Sequence, residues 1–471
     1  MDSVEEDGSQ ITSGSSCHVV AMPYPGRGHI NPMMNLCKLL AARGRSGDDD
    51  EKKGDMVITF VVTEEWLSFI GSDPKPTNIQ LRSIPNVIPS EKGRAGDFAG
   101  FIKAVMTKME GPFEELLDQL ETPPTAIITD TYLSWAVAVG NRRNISVASL
   151  CTNSPSFFSV IYHFDLLVQN GHYPVDLSVP EKEGERISYI PGVSSICLAD
   201  LPRGSNDPTK EVLEPILKIS SSVAKAQCLL LTSFYELDTQ ATDALRAILP
   251  FPVYPVGPSI PHMTLKDTID GDDDYMKWLN SQSTGSVLYV SLGSFLSVSS
   301  AQMDEIAAGL HDSGVPFLWV AQQDTSRLQK ACGDKGLVIP WCNQLRVLCH
   351  SSLGGFWTHC GWNSTLEAVF VGVPILAFPI FWDQIPNSKL IADDLRIGWR
   401  VKREMDIDKL VKREEICRTV QCFMNSNEEE NKEMRRRARE LQDSCRQAIE
   451  KGGSSETNLD AFVQDILQYH P

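Results

Sequence analysis

The feature that most constrains the fold of this chain is the alternation of short apolar runs with helical patterns along almost its whole length. "HVVAMP" is followed by "NPMMNLCKLLAARG", and "AIITD" by "SWAVAVGNRRN" and then "SVASL". The alternation resumes later with "SVLYVSLGS", "PFLWVAQ", "LGGFWTH" and "PILAFPI". Strands that alternate with helices form parallel sheets, because a parallel connection crosses over through a helix. The sequence therefore predicts an α/β protein with doubly wound parallel sheets.

A chain of 471 residues is too long for one ordinary core, since domains usually have about 100 to 200 residues. The stretch 251–285 is rich in Pro, Gly and Asp and has no periodicity, which predicts a linker. The predicted organisation is an acidic disordered tail at 1–16, an N-terminal α/β domain at 17–250, the linker at 251–285, a C-terminal α/β domain at 286–452 and an amphipathic helix at 453–471.

Composition and charge exclude several classes of function. The chain is 42% apolar and 22% charged with a formal net charge of −18, which indicates a soluble globular protein. It has no basic stripe, so a nucleic acid is excluded as its main partner. The longest uncharged stretch, from Ala368 to Trp382, is too short and too interrupted by prolines to cross a bilayer. The N-terminus has no signal-peptide pattern and the 12 cysteines are scattered. We therefore expect a monomeric cytoplasmic protein without a transmembrane segment.

The stretch "FWTHCGWNSTLEA" combines a strand-like run, a glycine-containing turn and a helical pattern. Such a turn gathers free backbone N–H groups and the positive end of a helix dipole in one concavity, where phosphate binds. His359, Asn363 and Ser364 would donate to phosphate oxygens, and Gly361 would let the backbone approach closely. Ser364 and Glu367 also fit a capping box. The alternative is that Glu367 only caps the helix and that His359 is an ordinary buried histidine.

A metal site is the other chemistry that this region suggests. Five potential ligands lie close together in the sequence: Cys342, Cys349, His350, His359 and Cys360. Their spacings match neither a C-x-x-C nor an H-x-x-x-H pattern, and adjacent residues rarely both reach one tetrahedral ion. The sequence therefore predicts no metal ligands.

A histidine and an aspartate in the first half of the chain are candidates for proton transfer. "HVVAMPYPGRGHINP" places His29 after a strand and before Asn31 and Pro32, which fit an N-cap and a first helical position. The dipole of that helix disfavours the imidazolium cation, so His29 can act as a base. Asp130 ends the strand "AIITD", at the sheet edge where ligand sites gather, and would stabilise the protonated imidazole. The alternatives are a plain loop histidine and a helix-capping aspartate.

The stretch from Trp341 to Gln384, "WCNQLRVLCHSSLGGFWTHCGWNSTLEAVFVGVPILAFPIFWDQ", resembles the 44-residue signature box of the plant family 1 UDP-glycosyltransferases in length and spacing. The start "HVVAMPYPGRGHINPM" is similar to that of plant small-molecule glucosyltransferases. The resemblance implies a GT-B fold with two facing Rossmann-like domains and a final helix that packs back on the N-terminal domain. It also assigns the base to His29 and the supporting carboxylate to Asp130.

The resemblance further implies which part of a UDP-sugar each residue contacts. Trp341 would stack on uracil, and the backbone of Cys342 would address its edge. The ribose hydroxyls would bond to Gln344 and Glu367. The residues that would hold the diphosphate are Ser294, His359, Asn363 and Ser364. Those that would contact the hexose are Trp362, Asp383 and Gln384.

The predicted function is the inverting, metal-independent transfer of glucose from UDP-glucose to a hydroxyl or carboxyl of a small hydrophobic plant metabolite such as a flavonoid, phenolic or terpenoid. UDP-glucose is a substrate here, and no cofactor is expected. The acceptor pocket is predicted on loops near Phe98–Phe101, Tyr132–Trp135 and Ser154–Phe158. Three alternatives stay open: an NAD-dependent oxidoreductase, because "GRGHIN" is close to a dinucleotide fingerprint; a metal-dependent glycosyltransferase using Asp272 to Asp274; and a catalytically silent nucleotide-sugar binding protein.

Overall fold

The described part of the chain forms two parallel α/β domains, each built around one sheet. The structure, a computed structural model, describes residues 17–43, 56–94, 96–173, 184–202, 218–262, 273–293, 298–322, 324–401 and 410–468. The tail predicted at 1–16 lies outside these residues.

The first domain is built on a seven-stranded sheet in which every pairing is parallel. Its strands are β1 (His18–Met22), β2 (Val57–Thr63), β3 (Ile79–Ile84), β4 (Ala126–Asp130), β5 (Ser146–Cys151), β8 (Cys228–Leu231) and β9 (Val253–Pro255). Their order across the sheet is β3-β2-β1-β4-β5-β8-β9. All five residues of β1 are buried, because helices cover both faces of such a sheet. A separate antiparallel pair consists of β6 (Arg186–Ile187) and β7 (Ile196–Cys197).

The second domain is built on a six-stranded sheet, also parallel throughout. Its strands are β10 (Val287–Ser291), β11 (Phe317–Val320), β12 (Gly336–Ile339), β13 (Leu353–Thr358), β14 (Ile375–Ala377) and β15 (Gly398–Arg400). Their order is β12-β11-β10-β13-β14-β15. The two sheets confirm the prediction of two doubly wound α/β domains.

Helices connect the strands of both sheets. In the first domain they are α1 (Arg27–Arg43), α2 (Glu64–Ile70), α3 (Phe98–Lys108), α4 (Glu110–Asp118), α5 (Ser134–Arg142), α6 (Pro155–Tyr162), α7 (Phe164–Gln169) and α8 (Thr239–Ile248). In the second they are α9 (Asp274–Asn280), α10 (Ser300–Ser313), α11 (Thr325–Cys332), α12 (Gln344–Leu348), α13 (Trp362–Val371), α14 (Gln384–Lys389), α15 (Arg413–Met424) and α16 (Glu429–Ile449). Over the described ranges, none of the helices is both long and apolar enough to span a membrane.

The segment predicted as a linker, 251–285, contributes elements to both domains. β9 is an edge strand of the first sheet. Tyr275 and Leu279 of α9 are buried in the core of the second domain. The sequence did not predict β9, because a three-residue strand gives no periodicity and its Pro255 is tolerated only at a sheet edge. The connection between the domains is therefore shorter than the composition suggests.

The last helix, α17 (Ser454–Gln468), returns to the first domain. Leu459, Phe462 and Ile466 are buried in the core that β1, β2 and α1 form. This is the position that the family resemblance implies for it. The first and the last described elements, β1 and α17, thus belong to the same domain.

Each sheet has a point at which the direction of strand addition reverses, between β1 and β4 in the first domain and between β10 and β13 in the second. Loops at the carboxyl ends of the two strands part there and leave a crevice for ligands. Asp130 ends β4, and His359 directly follows β13. The fold therefore places the predicted proton-transfer residues at the crevice of the first domain and the predicted phosphate-binding turn at the crevice of the second.

Candidate active site

A cavity of about 600 Å³ is lined by residues of both domains. Its wall includes most of the residues that the sequence singled out: His29, Trp341, Cys342, Gln344, His359, Gly361, Trp362, Asn363, Ser364, Glu367, Asp383 and Gln384. Asp130 is fully buried behind His29. Ser294 lies outside the described residues. The structure therefore brings the predicted base and the predicted donor residues to one cavity.

His29 lies in the first turn of α1, and the helix starts earlier than predicted. The backbone N–H of Ile30 already donates to the carbonyl of Gly26 at 2.9 Å. The prediction that Asn31 caps the helix and that Pro32 opens it is therefore wrong, and Pro32 lies inside the helix. β1 ends at Met22, close to the turn that contains Gly26. The first hydrogen bond of the helix therefore forms at this turn.

The imidazole of His29 is hydrogen-bonded to Asp130. Nδ1 of His29 is 2.7 Å from Oδ2 of Asp130, and the His29 side chain is 24% exposed whereas that of Asp130 is fully buried. When Nδ1 carries the imidazole proton and donates it in the hydrogen bond to the carboxylate, the lone pair of Nε2 is free to accept a second proton. Asp130 does not cap α5, which has no side-chain cap. The pair has the arrangement of a base and its orienting carboxylate.

Thr152 is a member of this cluster that the sequence did not single out. Its Oγ1 is 2.8 Å from Nδ1 of His29. Thr152 directly follows β5, the strand next to β4. Its place at the carboxyl end of a parallel strand was the only signal that could have identified it.

The turn that leads into α13 has the strand, turn and helix form that was predicted. Gly361 precedes the helix, which begins at Trp362. The predicted capping box is wrong, because Ser364 is the third residue of the helix and no side chain caps it. Glu367 lies one turn further along and lines the cavity. The left-handed Gly372 ends the helix.

His359 is packed between two glycines. A Cβ added at Gly293 would lie 2.9 Å from Nε2 of His359, and one added at Gly361 would lie 2.5 Å from it. Burial lowers the pKa of His359 to about 4, against the opposing effect of a hydrogen bond with the backbone of Ser291. His359 is therefore a neutral imidazole near pH 7. A residue with a side chain at either glycine position would displace the imidazole ring of His359.

Glu367 belongs to a small polar network on α12 and α13. Its Oε2 accepts a hydrogen bond from Nε2 of Gln344 at 2.6 Å, and the same nitrogen donates to Oγ of Ser364 at 3.0 Å. Burial raises the pKa of Glu367 to about 7, and the bond from Gln344 opposes this rise. The carboxyl of Glu367 is thus poised to change its charge near neutral pH.

Trp341 stands at the cavity with an exposed ring. Among the large hydrophobic side chains of the described residues, Trp341 is 66% exposed, the highest value. The next residue, Cys342, is buried, and its Sγ lies 3.3 Å from the hydroxyl of Tyr289. An exposed flat aromatic ring on a cavity wall is a surface on which a planar base can stack.

Asp383 and Gln384 lie where α14 begins and are fixed by hydrogen bonds. Oδ2 of Asp383 accepts from Nδ2 of Asn387 at 3.0 Å, and burial raises the pKa of Asp383 to about 6. Oε1 of Gln384 accepts from the backbone N–H groups of Ile380 and Phe381 at 2.9 and 3.0 Å. With its oxygen held in this way, Gln384 keeps its Nε2 as the group that can donate to a ligand.

Aromatic side chains from both domains line another part of the cavity. Tyr132 lies edge-on to His29 with ring centroids 5.5 Å apart, and its hydroxyl accepts from Nε1 of Trp382 at 3.2 Å. The rings of Phe98 and Phe381 pack edge to face at 5.5 Å. Phe98 and Tyr132 lie where the sequence predicted the acceptor pocket. Phe381 and Trp382 were missed, because only the contact between domains brings them there.

Among the residues that the structure describes, no group of three or more His, Cys, Asp and Glu side chains is placed to hold a metal ion. Of the aspartates considered for a D-x-D motif, Asp272 lies outside the described residues. Asp273 accepts from Arg346 at 3.0 Å, and Asp274 opens α9. These are turn and helix-start positions, whereas a D-x-D motif follows a buried strand.

Known proteins resemble this chain over nearly its full length. The family model described as UDP-glucoronosyl and UDP-glucosyl transferase matches residues 210–411. UDP-glycosyltransferase 87A2 of Arabidopsis thaliana is 51% identical over 452 residues, which cover 95% of this chain and 96% of that protein. UDP-glycosyltransferase 87A1 of the same plant is 49% identical over 452 residues, which cover 95% of this chain and 100% of that protein.

A solved structure with the same architecture is that of Phytolacca americana UGT2 complexed with UDP-2fluoro-glucose and pterostilbene. It is similar with a TM-score of 0.79 at 26% identity, and the match covers 96% of this chain and 100% of that chain. Together with the two facing parallel sheets, this similarity confirms the predicted GT-B fold.

Proposed function

Since this chain belongs to the UDP-glucoronosyl and UDP-glucosyl transferase family and is a UDP-glycosyltransferase, we propose that it transfers glucose from UDP-glucose to a small hydrophobic acceptor with inversion at the anomeric carbon. The observation that carries the proposal is the cavity that has the His29–Asp130 pair on one wall and the N-terminus of α13 on another. The alternatives of an oxidoreductase and of a silent nucleotide-sugar binder are wrong for a member of this family.

The proposed step is a single displacement. Nε2 of His29 takes the proton of the acceptor hydroxyl, and the acceptor oxygen attacks the anomeric carbon of glucose. The bond from that carbon to the UDP oxygen breaks, and UDP leaves with the electron pair. Asp130 stabilises the imidazolium that forms, through the 2.7 Å bond to Nδ1. Attack from the face opposite to UDP inverts the configuration.

The donor is proposed to lie along the second domain. Trp341 stacks on uracil, the backbone of Cys342 addresses its edge, and the ribose hydroxyls donate to Glu367 and bond to Gln344. The groups proposed for the diphosphate are Ser294, His359, Asn363, Ser364 and the N–H groups beside Gly361. Those proposed for glucose are Trp362, Asp383 and Gln384. In support, all of these that the structure describes line the same cavity.

The acceptor is proposed to lie against the aromatic side chains next to His29. Tyr24, Phe98, Tyr132 and Trp382 line this part of the cavity, with Ile102 and Met106. Rings and aliphatic side chains favour a flat or compact apolar molecule. We therefore propose flavonoids, simple phenolics or terpenoids with a hydroxyl or carboxyl as the acceptor class.

Replacing His29 with Ala tests the proposed base. His29→Ala should lower turnover by at least about a hundredfold, because general-base catalysis contributes about 10² to 10⁴ in rate, and should leave UDP affinity unchanged. Turnover is measured as UDP released from UDP-glucose with a panel of phenols and terpenoid alcohols, and NMR of the glucoside gives the anomeric configuration.

His311→Ala is the matched control, since His311 lies on α10 outside the cavity lining. Turnover in His29→Ala equal to that of the unaltered enzyme would rule out the proposed base. A glucoside with retained configuration would rule out the single displacement.

A further inference from the structure

Helix α1, which carries His29, contains a proline in its interior. In an α-helix each N–H donates to the carbonyl four residues earlier, and the N–H of Ile30 does so to Gly26 at 2.9 Å. Pro32 has no N–H. The carbonyl that it would have bonded, that of Gly28, therefore lacks the usual donor four residues further along the helix. Prolines are unfavourable at such positions, so the presence of Pro32 needs a reason.

The carbonyl of Gly28 is hydrogen-bonded to the other domain. Nδ2 of Asn363, in the first turn of α13, donates to it at 2.9 Å. Gly28 is the residue next to His29, and Asn363 is one of the proposed diphosphate contacts. This bond therefore joins the turn that holds the base directly to the turn that holds the donor. Oδ1 of Asn363 is buried and has no partner among the described residues, so Gly28 is what anchors this side chain.

An ordinary residue at position 32 would place a second donor on the Gly28 carbonyl, which would draw this oxygen along the axis of α1 and weaken its bond to Asn363. Its N–H would bond to the Gly28 carbonyl within α1, at a distance and angle that the helix itself fixes. Asn363 reaches that carbonyl only across the cleft between the domains. This bond within α1 would form whatever the position of the two domains relative to each other.

We propose that Pro32 is a positioning residue of the transfer reaction. By lacking an N–H, it removes the helix donor to the Gly28 carbonyl, so that this oxygen is oriented by Asn363, and the resulting bond holds His29 in register with the donor across the cleft. This inference rests on the proposed function, in which His29 is the base and the α13 turn binds the diphosphate.

The test is Pro32→Ala in the full-length enzyme. We expect kcat to fall about fivefold, which is the rate factor for losing one hydrogen bond of about 1 kcal/mol. The affinity for uridine, which has no diphosphate, should stay unchanged, and the melting temperature should not fall, because a helix-breaking residue is removed. Pro112→Ala, in the first turn of α4, is the matched control and should keep full kcat.

A double-mutant cycle separates this role from a general effect of the proline. In an Asn363→Ala background the bond is already lost, so Pro32→Ala should cause no further fall in kcat. A chain with lactic acid at position 32, which has neither the ring nor an N–H, should keep the kcat of the unaltered enzyme.

An unchanged kcat in Pro32→Ala, or an equal fall in both backgrounds, would overturn the inference. If His29→Ala is inactive while Pro32→Ala keeps its kcat, only this inference fails. If the unaltered enzyme transfers no glucose, the proposed function itself is refuted.

Discussion

At the scale of single residues, burial reduces the charge of two ionisable groups on the donor side of the cavity, His359 and Glu367. Burial lowers the pKa of His359 to about 4 and raises that of Glu367 to about 7. Neither residue carries a full charge near pH 7 in the ligand-free protein. The diphosphate is therefore proposed to be held by peptide N–H groups and neutral donors at a helix N-terminus, which suits a chain with a net charge of −18.

The raised pKa of Glu367 predicts a pH dependence of nucleoside binding. Ribose hydroxyls donate best to the ionised carboxylate, which in the free protein forms only as the pH rises through about 7. Uridine, which has no phosphate, should therefore bind more tightly as the pH rises, by up to about tenfold per pH unit below that value. Calorimetric titration of uridine across this range is the measurement.

Glu367→Gln removes the titrating group and keeps a side chain of the same shape. Its uridine affinity should not vary with pH over the same range. A variant that keeps the pH dependence of the unaltered protein would show that another group causes it.

At the scale of secondary-structure elements, the sequence predicted which helices exist better than where they begin. α1 starts before His29, and α13 starts before Ser364. In both places a residue that resembles a cap lies within the first turns. Glycine-containing turns allow the helix to begin earlier than the cap residues suggest, and local patterns do not reveal this.

α17 packs on the first domain through tertiary contacts far apart in the chain, and this packing can be tested. Phe462 is buried against the first domain, so Phe462→Ala should lower the free energy of unfolding by about 3–5 kcal/mol. Gln464→Ala, at an exposed position of the same helix, should be nearly neutral. Urea denaturation of both variants is the measurement, and equal stabilities would contradict the packing described here.

At the scale of the whole molecule, the two sheets present their reversal points to one cavity. The first domain supplies His29 with Asp130, and the second supplies the α13 N-terminus. Hydrogen bonds that link the domains beside this cavity include those from Asn363 to Gly28, from Trp382 to Tyr132 and from Ser154 to Asn387. The reacting groups therefore depend on the relative position of the domains.

This arrangement predicts that transfer needs no divalent cation, because the N-terminus of α13 is proposed to balance the charge of departing UDP. Turnover should be unchanged when excess EDTA is added, and also when Mg²⁺ or Mn²⁺ is restored afterwards. Loss of turnover with EDTA that either ion reverses would contradict the proposed diphosphate site.

The sequence by itself determined the fold class, the family and a set of residues that the structure then places on one cavity. The alternation of strands and helices predicts parallel sheets. The functional residues from Trp341 to Gln384 are recognisable from local spacing, because they lie just after a strand or in the first turns of a helix. His29 and Asp130 were found in the same way, because the carboxyl ends of parallel strands meet at one edge.

Only the tertiary structure decided which distant residues act together. The contact of Thr152 with His29, the aromatic pairs that Phe381 and Trp382 form with the first domain, and the use of the Gly28 carbonyl by Asn363 all join segments far apart in the chain. No periodicity or spacing encodes such pairs. Thr152 meets His29 because β5 lies beside β4, which lies beside β1, in the first sheet, and the other contacts form because the two domains pack with their crevices facing each other.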